Sequence, residues 1–177
     1  MMHRSDNTVY YWSDNFTAVR MGFESGGMWF FLPDEGFTPA DLLADGAFLE
    51  LVDDRSSWKG KRAMMVNMVV PRFDVSAQLE LQPALEALGV TDVFDAYAAD
   101  FSPATEDTDL YVSAALHGVR VKIDEQGCEG AAYTMLAMTG AAMPPDEEVD
   151  FTVDRPFLFC ITGDDGLPLF TGIVNQP

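Results

Sequence analysis

The sequence is poor in cysteine, histidine and basic residues. Its 177 residues include 2 cysteines, 2 histidines and 10 lysines and arginines, against 29 acidic residues, for a formal net charge of −19. Two cysteines are too few for a disulfide framework, and neither Cys128 nor Cys160 has the spacing of a metal site. The few basic residues do not cluster along the chain. The composition therefore predicts no nucleic-acid partner and no membrane partner, and favours encounter with basic proteins.

The chain also lacks a long apolar run. No stretch reaches the roughly 18 residues of a membrane-spanning helix, and residues 1–12 have no apolar core of a signal peptide. These first residues are typical of a strand entered in its middle, so the missing signal peptide indicates nothing about the compartment. Hydrophobic residues make up 48% of the chain and aromatic residues 12%, which excludes disorder and is enough for a packed domain.

Short strand-like runs recur along the chain, and apolar and polar residues alternate over 115–123, which predicts a strand-rich fold. Strands are expected at 16–23, 28–32, 63–70, 72–76, 115–123, 157–161 and 168–174. Gly26 and Gly27 are expected to form the turn between the first two strands, and residues 163–166 (GDDG) the turn between the last two.

Three segments have the start and stop signals of helices. Residues 38–44 have Thr38 at the N-cap and Pro39 at the first helical position. A second short helix is expected at 47–52. The clearest pattern lies at 81–94, with Gly89 at a C-terminal stop. The fold class predicted from these elements is α+β, dominated by antiparallel sheet.

Candidate catalytic and metal-binding groups do not form a convincing set. Ser25, within residues 24–27 (ESGG), is similar to the nucleophile region of trypsin-like proteases, but no Asp and His pair is arranged around it. His117 lies on the apolar face of its strand, which predicts a core histidine with hydrogen-bonded ring nitrogens. The acidic clusters lack the spacing of a calcium loop and are interpreted as solvated turns. No cofactor is predicted.

Several stretches resemble the serpins, a family of inhibitors that trap serine proteases by inserting a loop into a sheet. Residues 151–161 (FTVDRPFLFCI) fit the C-terminal signature of the family, which includes Asp154, Arg155, Pro156 and Phe157. Residues 110–127 (LYVSAALHGVRVKIDEQG) are similar to the strand that leads into the reactive loop. Residues 80–102 and 169–177 are similar to a helix region and to the closing strand. The resemblance runs from residue 1 to 177 and covers the C-terminal half of a serpin.

The resemblance implies roles for residues in the apolar segment 125–145 (EQGCEGAAYTMLAMTGAAMPP). The reactive loop is expected at about 127–145, the reactive bond between Ala141 and Ala142, and the closing strands at 157–175. The hinge of the loop is expected to comprise Glu125, Gly127, Cys128, Gly130, Ala131, Ala132 and Thr134. His117 is expected to be a structural gate residue rather than a base.

The loop segment has a pattern that suits a strand inserted over a core. One alternate set, from Cys128 to Gly140, holds Gly130, Ala132 and Thr134, whereas the other holds Glu129 and Tyr133. The charge and the large ring thus share one face, while small residues share the other near the hinge. Cys128, Gly130 and Tyr133 depart from the usual family residues without excluding insertion.

The expected function is serine protease inhibition as a suicide substrate, by a secreted protein whose target is elastase-like because residues 140–142 are small. As a C-terminal fragment, the chain is expected to be inactive alone and to self-associate through an open sheet edge. A non-inhibitory serpin that serves as a binding module and an inert truncated fragment remain as alternatives.

Overall fold

The computed structural model describes residues 1–105, 110–124, 127–129 and 147–177. The strands are Met2–Trp12 (β1), Phe16–Phe23 (β2), Gly26–Pro33 (β3), Lys61–Val70 (β4), Phe73–Glu80 (β5), Leu116–Asp124 (β6), Gly127–Glu129 (β7), Glu148–Thr152 (β8), Phe157–Thr162 (β9) and Pro168–Val174 (β10). The helices are Pro39–Asp45 (α1), Ala47–Asp53 (α2) and Gln82–Ala87 (α3), with a 3-10 turn at Asp92–Phe94.

The strands form two sheets. The larger sheet has the order β10-β9-β3-β2-β1-β4-β8, and the smaller one the order β5-β6-β7. Neighbours in the larger sheet are antiparallel except for β4 and β8, which are parallel. The predicted α+β class with mostly antiparallel sheet is confirmed.

The described residues divide into two compact units. The first comprises residues 1–73 and 122–177, and the second residues 74–121. The first unit contains the larger sheet and nearly all of the buried apolar residues. Among the described residues of the second unit, Val121 alone is a buried hydrophobic residue. Because burial of apolar area is the main stabilising term in folding, the first unit provides the stable part of the described chain.

The core of the first unit is built on β3 and β9, which are buried at every position. Continuous apolar runs such as MWFFL and FLFCI are typical of strands covered on both faces. One face packs on the two short helices α1 and α2 through a cluster that includes Trp29, Phe31, Leu42, Phe48, Leu51, Leu158 and Cys160. The other face carries Phe30, Phe157 and Phe159, with Phe73 packed against the last two.

Helix α1 begins as the sequence predicts, with Thr38 as N-cap and Pro39 at the first helical position, and it ends at Asp45, one residue beyond the expected 38–44. The Thr38 hydroxyl accepts a hydrogen bond from the Asp41 backbone N–H at 3.3 Å, and the Asp41 carboxylate accepts one from the Thr38 N–H at 2.8 Å. These bonds form a reciprocal N-terminal cap, and the Thr38 hydroxyl and amide lower the pKa of Asp41. Gly46, with a φ of 77°, ends the helix in the left-handed region.

The turn between β2 and β3 differs from the prediction. Gly26 and Gly27 lie inside β3, and the turn consists of Glu24 and Ser25. The two glycines are needed for close approach rather than for chain reversal. A Cβ atom on Gly26, whose φ is 138°, would lie 2.0 Å from the Thr162 carbonyl oxygen. The sequence could not show this contact because Thr162 is distant along the chain.

The helix predicted at 81–94 is shorter than expected. Helix α3 ends at Ala87, Gly89 adopts a φ of 90° as a stop residue, and a separate 3-10 turn follows. The apolar positions Leu81, Leu85 and Leu88 do not form a buried face, since α3 contains no buried residue. Periodicity predicted a packed helix, but the second unit offers α3 no buried core to complete it.

We expect Gly26→Ala to lower the free energy of unfolding by about 1–3 kcal/mol from backbone strain alone, with a further loss from the clash with Thr162. The matched control is Gly118→Ala, because a Cβ atom there meets nothing within 4 Å. That change should be neutral or stabilising by about 0.5–1 kcal/mol. Urea denaturation of both variants measures the difference, and equal effects would contradict the close-approach role of Gly26.

Candidate functional site

The strand β6 and the short strand β7 form the region where the sequence places the hinge of the reactive loop. The two strands pair antiparallel, with Lys122 opposite Glu129, Ile123 opposite Cys128 and Asp124 opposite Gly127. In the smaller sheet β6 lies between β5 and β7. The chain that follows β6 therefore turns back and begins a new strand beside it.

The two faces of β6 differ in burial. Val121 and Ile123 are 4% and 3% exposed, and they alternate with Arg120 and Lys122 on the other face. Arg120 donates two hydrogen bonds to the Asp74 carboxylate, at 2.8 and 2.5 Å, which makes a bidentate pair between β6 and β5. The end of β6 next to β7 thus has one apolar face and one charged face, as the alternation predicts.

His117 is not a core residue in this structure. It shares the face of Val121 and Ile123, but its side chain is exposed. The predicted burial of the imidazole is therefore wrong for the described chain. The physical reason is that this end of β6 lies in the second unit, where Val121 is the one buried hydrophobic side chain among the described residues. The role of His117 as a gate residue stays a prediction.

The signature residues connect the start of β9 to the end of β3. The Arg155 guanidinium donates two hydrogen bonds to the Pro33 carbonyl, at 3.1 and 3.0 Å, and lies 3.5 Å from the Asp154 carboxylate. Phe157 is fully buried, with its ring centroid 6.1 Å from that of Phe30 and 5.6 Å from that of Phe73. Pro156 is exposed between them. The signature therefore holds the edge of the core in place.

Most of the predicted loop residues fall outside the described residues. These are Glu125, Gly130, Ala131, Ala132, Thr134, Ala141 and Ala142. Gly127 and Cys128 lie in β7.

The described residues contain none of the polar clusters that would indicate another type of site. No group of three or more His, Cys, Asp or Glu side chains among them could hold a metal ion. Cys160 is a free and buried thiol, and this burial raises its pKa. The Asp54 carboxylate accepts hydrogen bonds from Ser56 and Ser57, which lower its pKa to about 2.

In the part of the chain that the structure describes, no helix is long and apolar enough to cross a membrane.

Comparison with known protein families settles the identity. Residues 1–177 match the family profile described as Serpin (serine protease inhibitor). The chain belongs to the serpin family. Its fold agrees with this, since it superimposes on the crystal structure of the thermophilic serpin tengpin in the native state with a TM-score of 0.75 and 26% identity, covering 99% of this chain and 46% of tengpin.

Curated serpins of several kinds are similar in sequence. Glia-derived nexin of Rattus norvegicus is 32% identical over 176 residues, which is 98% of this chain and 42% of the relative. Plasminogen activator inhibitor 1 of Bos taurus is 35% identical over 147 residues, 82% of this chain and 35% of the relative. This serpin chain thus spans less than half the length of the relatives that it matches.

Sequence reasoning missed two partners of the site, Pro33 and Asp74. The Pro33 carbonyl accepts a hydrogen bond from Arg155, a residue of the family signature. The Asp74 carboxylate accepts one from Arg120, which lies in the strand predicted at 115–123. Neither contact leaves a local signal, because the partners are 122 and 46 residues apart in the chain.

Arg155 is expected to stabilise the serpin core through its planar fork. Arg155→Ala should lower the free energy of unfolding by about 1 kcal/mol, since the two bonds to one carbonyl are partly exposed. Arg155→Lys should recover less than half of this loss, because an ammonium cannot reproduce the fork. Arg62→Ala, which removes an exposed ion pair with Glu147, should change stability by less than about 0.5 kcal/mol. Wild-type stability of Arg155→Lys in urea denaturation would contradict this role.

Proposed function

We propose that this chain carries the reactive loop and the receiving strand of a serpin that traps a serine protease as a suicide substrate. The observation that supports the proposal is the pairing of β7 with β6, because it starts a new strand at the hinge and fixes its register. The receiving strand is β6, and residues 127–140 supply the strand that inserts beside it.

Extending the β6–β7 register gives the arrangement expected after insertion. Continued beyond the three observed pairs, that register would place position 130 opposite Val121, position 132 opposite Val119 and position 134 opposite His117. Opposed residues of an antiparallel pair share a face. Small residues would therefore cover the buried face of β6, whereas Tyr133, opposite Gly118, would point outward. This segregation favours insertion over a permanently exposed loop.

The chemistry belongs to the protease. Its serine attacks the carbonyl carbon of Ala141, the Ala141–Ala142 peptide bond breaks, and the amine of Ala142 leaves with a proton. The acyl ester then tethers the protease to Ala141 while residues 127–140 enter the sheet and gain main-chain hydrogen bonds. The conformational change is driven by release from a metastable starting fold. The serpin acts once and performs no catalysis of its own.

The proposed partner is an extracellular serine protease with a narrow primary pocket, such as an elastase. Gly140, Ala141 and Ala142 present little side-chain volume at the reactive bond, which such a pocket accepts. A net charge of −19 favours encounter with a basic protease. The description of the family profile as a serine protease inhibitor supports a serine protease as the partner.

Residues 1–177 alone are proposed to be a substrate rather than an inhibitor. A fully inserted strand has a neighbour on each side, whereas the β5-β6-β7 sheet supplies a neighbour for β7 on one side among the described strands. Insertion would then form one ladder of hydrogen bonds instead of two. The outer edge of the new strand is also open to pairing with another copy of the chain.

Elastase is expected to cut the 177-residue chain at Ala141–Ala142, within one residue on either side. Mass spectrometry of the digest should find a C-terminal peptide that begins at residue 142. Cleavage restricted to residues 127–134 would contradict the assigned reactive bond.

The inserting register is tested with a complete serpin made by joining residues 1–177 to the residues of rat glia-derived nexin that lie outside the matched region. With elastase, this chimaera should form a covalent complex that survives SDS. Thr134→Arg should reduce the yield of complex at least about tenfold, because burying an unpaired charge on the face of His117 and Val121 is costly.

The matched control in the chimaera is Tyr133→Arg. This change places the same charge one position away, on the outward face, and should leave most of the complex intact. Equal loss with both variants would contradict the register. Elastase cleavage of the unmodified chimaera without any complex would favour a non-inhibitory serpin.

The isolated 177-residue chain is expected to give no SDS-resistant complex with elastase and to form oligomers whose proportion rises with protein concentration. Gel electrophoresis and light scattering measure the two properties. A stoichiometric complex formed by the purified chain would overturn the view that a second flanking strand is required.

A further inference from the structure

The first unit contains a group of hydrogen-bond donors for which the described chain supplies no acceptor. Tyr11 of β1 is 5% exposed, and Arg20 of β2 is half-buried. Within residues 1–105, 110–124 and 147–177, neither the Tyr11 hydroxyl nor the Arg20 guanidinium makes a hydrogen bond or close ion pair with the protein. Buried tyrosine hydroxyls and guanidinium groups normally have such partners.

The position of Arg20 is set by two glycines. Gly22 and Gly27 lie opposite each other on β2 and β3, so neither of these two strands has a side chain at this level. A Cβ atom on Gly27 would lie 2.4 Å from Cζ of Arg20, and one on Gly22 3.7 Å from Nη1. The guanidinium therefore lies against the bare backbone, next to Trp29, which faces Arg20 across the strand pair.

A second cation, Arg55, acts electrostatically on this guanidinium. Arg55, in the exposed turn after α2, lowers the pKa of Arg20 further, after the larger effect of burial. Both arginines also act on the Tyr11 hydroxyl, whose pKa burial raises, so the hydroxyl stays protonated as a donor at neutral pH. The Arg55 side chain likewise has no acceptor or acidic partner within the described ranges.

This arrangement is unusual in a chain with 29 acidic and 10 basic residues. Arg4, Arg62, Arg120, Lys122 and Arg155 each form an ion pair with a carboxylate. Arg20 and Arg55, which are 35 positions apart in the sequence, instead act electrostatically on each other. Asp164 is the carboxylate that acts on Arg20, more weakly than Arg55 does and without forming an ion pair.

We infer that Tyr11, Arg20 and Arg55 form a binding site for a small divalent oxyanion, inorganic phosphate or sulfate. Sulfate offers acceptors only and the hydrogen phosphate dianion has a single donor, so both complement a group made only of donors. The double charge of either ion offsets the charges of the two arginines, and guanidinium groups match its geometry with paired N–H donors.

The inference is tested by calorimetric titration of the 177-residue protein with inorganic phosphate and, separately, with sulfate at pH 7.5. Titration with sodium chloride controls for ionic strength, and titration with acetate shows how a monovalent anion binds. We expect saturable binding of both dianions, with a midpoint of thermal unfolding that rises as the dianion concentration exceeds its Kd. Absence of saturable binding, or equally tight binding of acetate, would overturn the inference.

Two variants test the location of the site, and a third serves as a control. Arg20→Gln and Arg55→Gln should each weaken dianion binding about tenfold or more, because each removes charge-assisted hydrogen bonds. Arg55 is exposed, so its variant remains informative even if Arg20→Gln fails to fold. Arg62→Gln is the matched control and should leave the Kd unchanged within about twofold. Wild-type affinity in Arg55→Gln would contradict the site.

Asp164 provides the competing explanation, in which it neutralises the arginines internally. The inference expects Asp164→Asn to tighten phosphate binding, because a nearby negative charge is removed. A Kd that is unchanged or weaker in Asp164→Asn would overturn the inference.

Discussion

The pairing of β3 with β9 is the interaction on which the rest of the described structure depends. Both strands are buried along their whole length, and each face of the pair carries aromatic rings that pack on other elements. The pair is fixed at both ends by contacts to backbone carbonyls. Gly26 lies against the Thr162 carbonyl at one end, and Arg155 binds the Pro33 carbonyl at the other. Arg155 of the family signature therefore stabilises the core directly.

The region proposed for protease trapping has the opposite character. The strand β6 has buried apolar side chains at Val121 and Ile123, but its other end is exposed at His117. A strand that is anchored at one end and uncovered at the other can accept a further neighbour without first breaking a packed interface. The short β7 already occupies the start of that edge. A stable core and a strand that can accept a new neighbour are thus separate requirements. Different parts of the serpin chain meet them.

The charged side chains are arranged in a way that the net charge alone does not show. A formal charge of −19 makes the surface acidic on average, and most of the arginines are paired with carboxylates. Arg20 departs from this pattern because Gly22 and Gly27 leave room for its guanidinium against the backbone. Arg55 acts unfavourably on the charged form of Arg20, and neither arginine has a paired carboxylate among the described residues. This is the basis of the proposed anion site.

The sequence by itself determined the features that depend on neighbours along the chain. Short apolar runs placed β2, β4, β9 and β10, and alternation placed β6. The pattern around Thr38 placed α1, and the stretch around Arg155 indicated the family. The structure decided the features that depend on distant neighbours. Gly26 and Gly27 are strand residues because Thr162 and Arg20 approach them, and His117 is exposed because the second unit has no core to cover it. Local periodicity records which face of an element is apolar, but only tertiary packing decides whether anything covers that face.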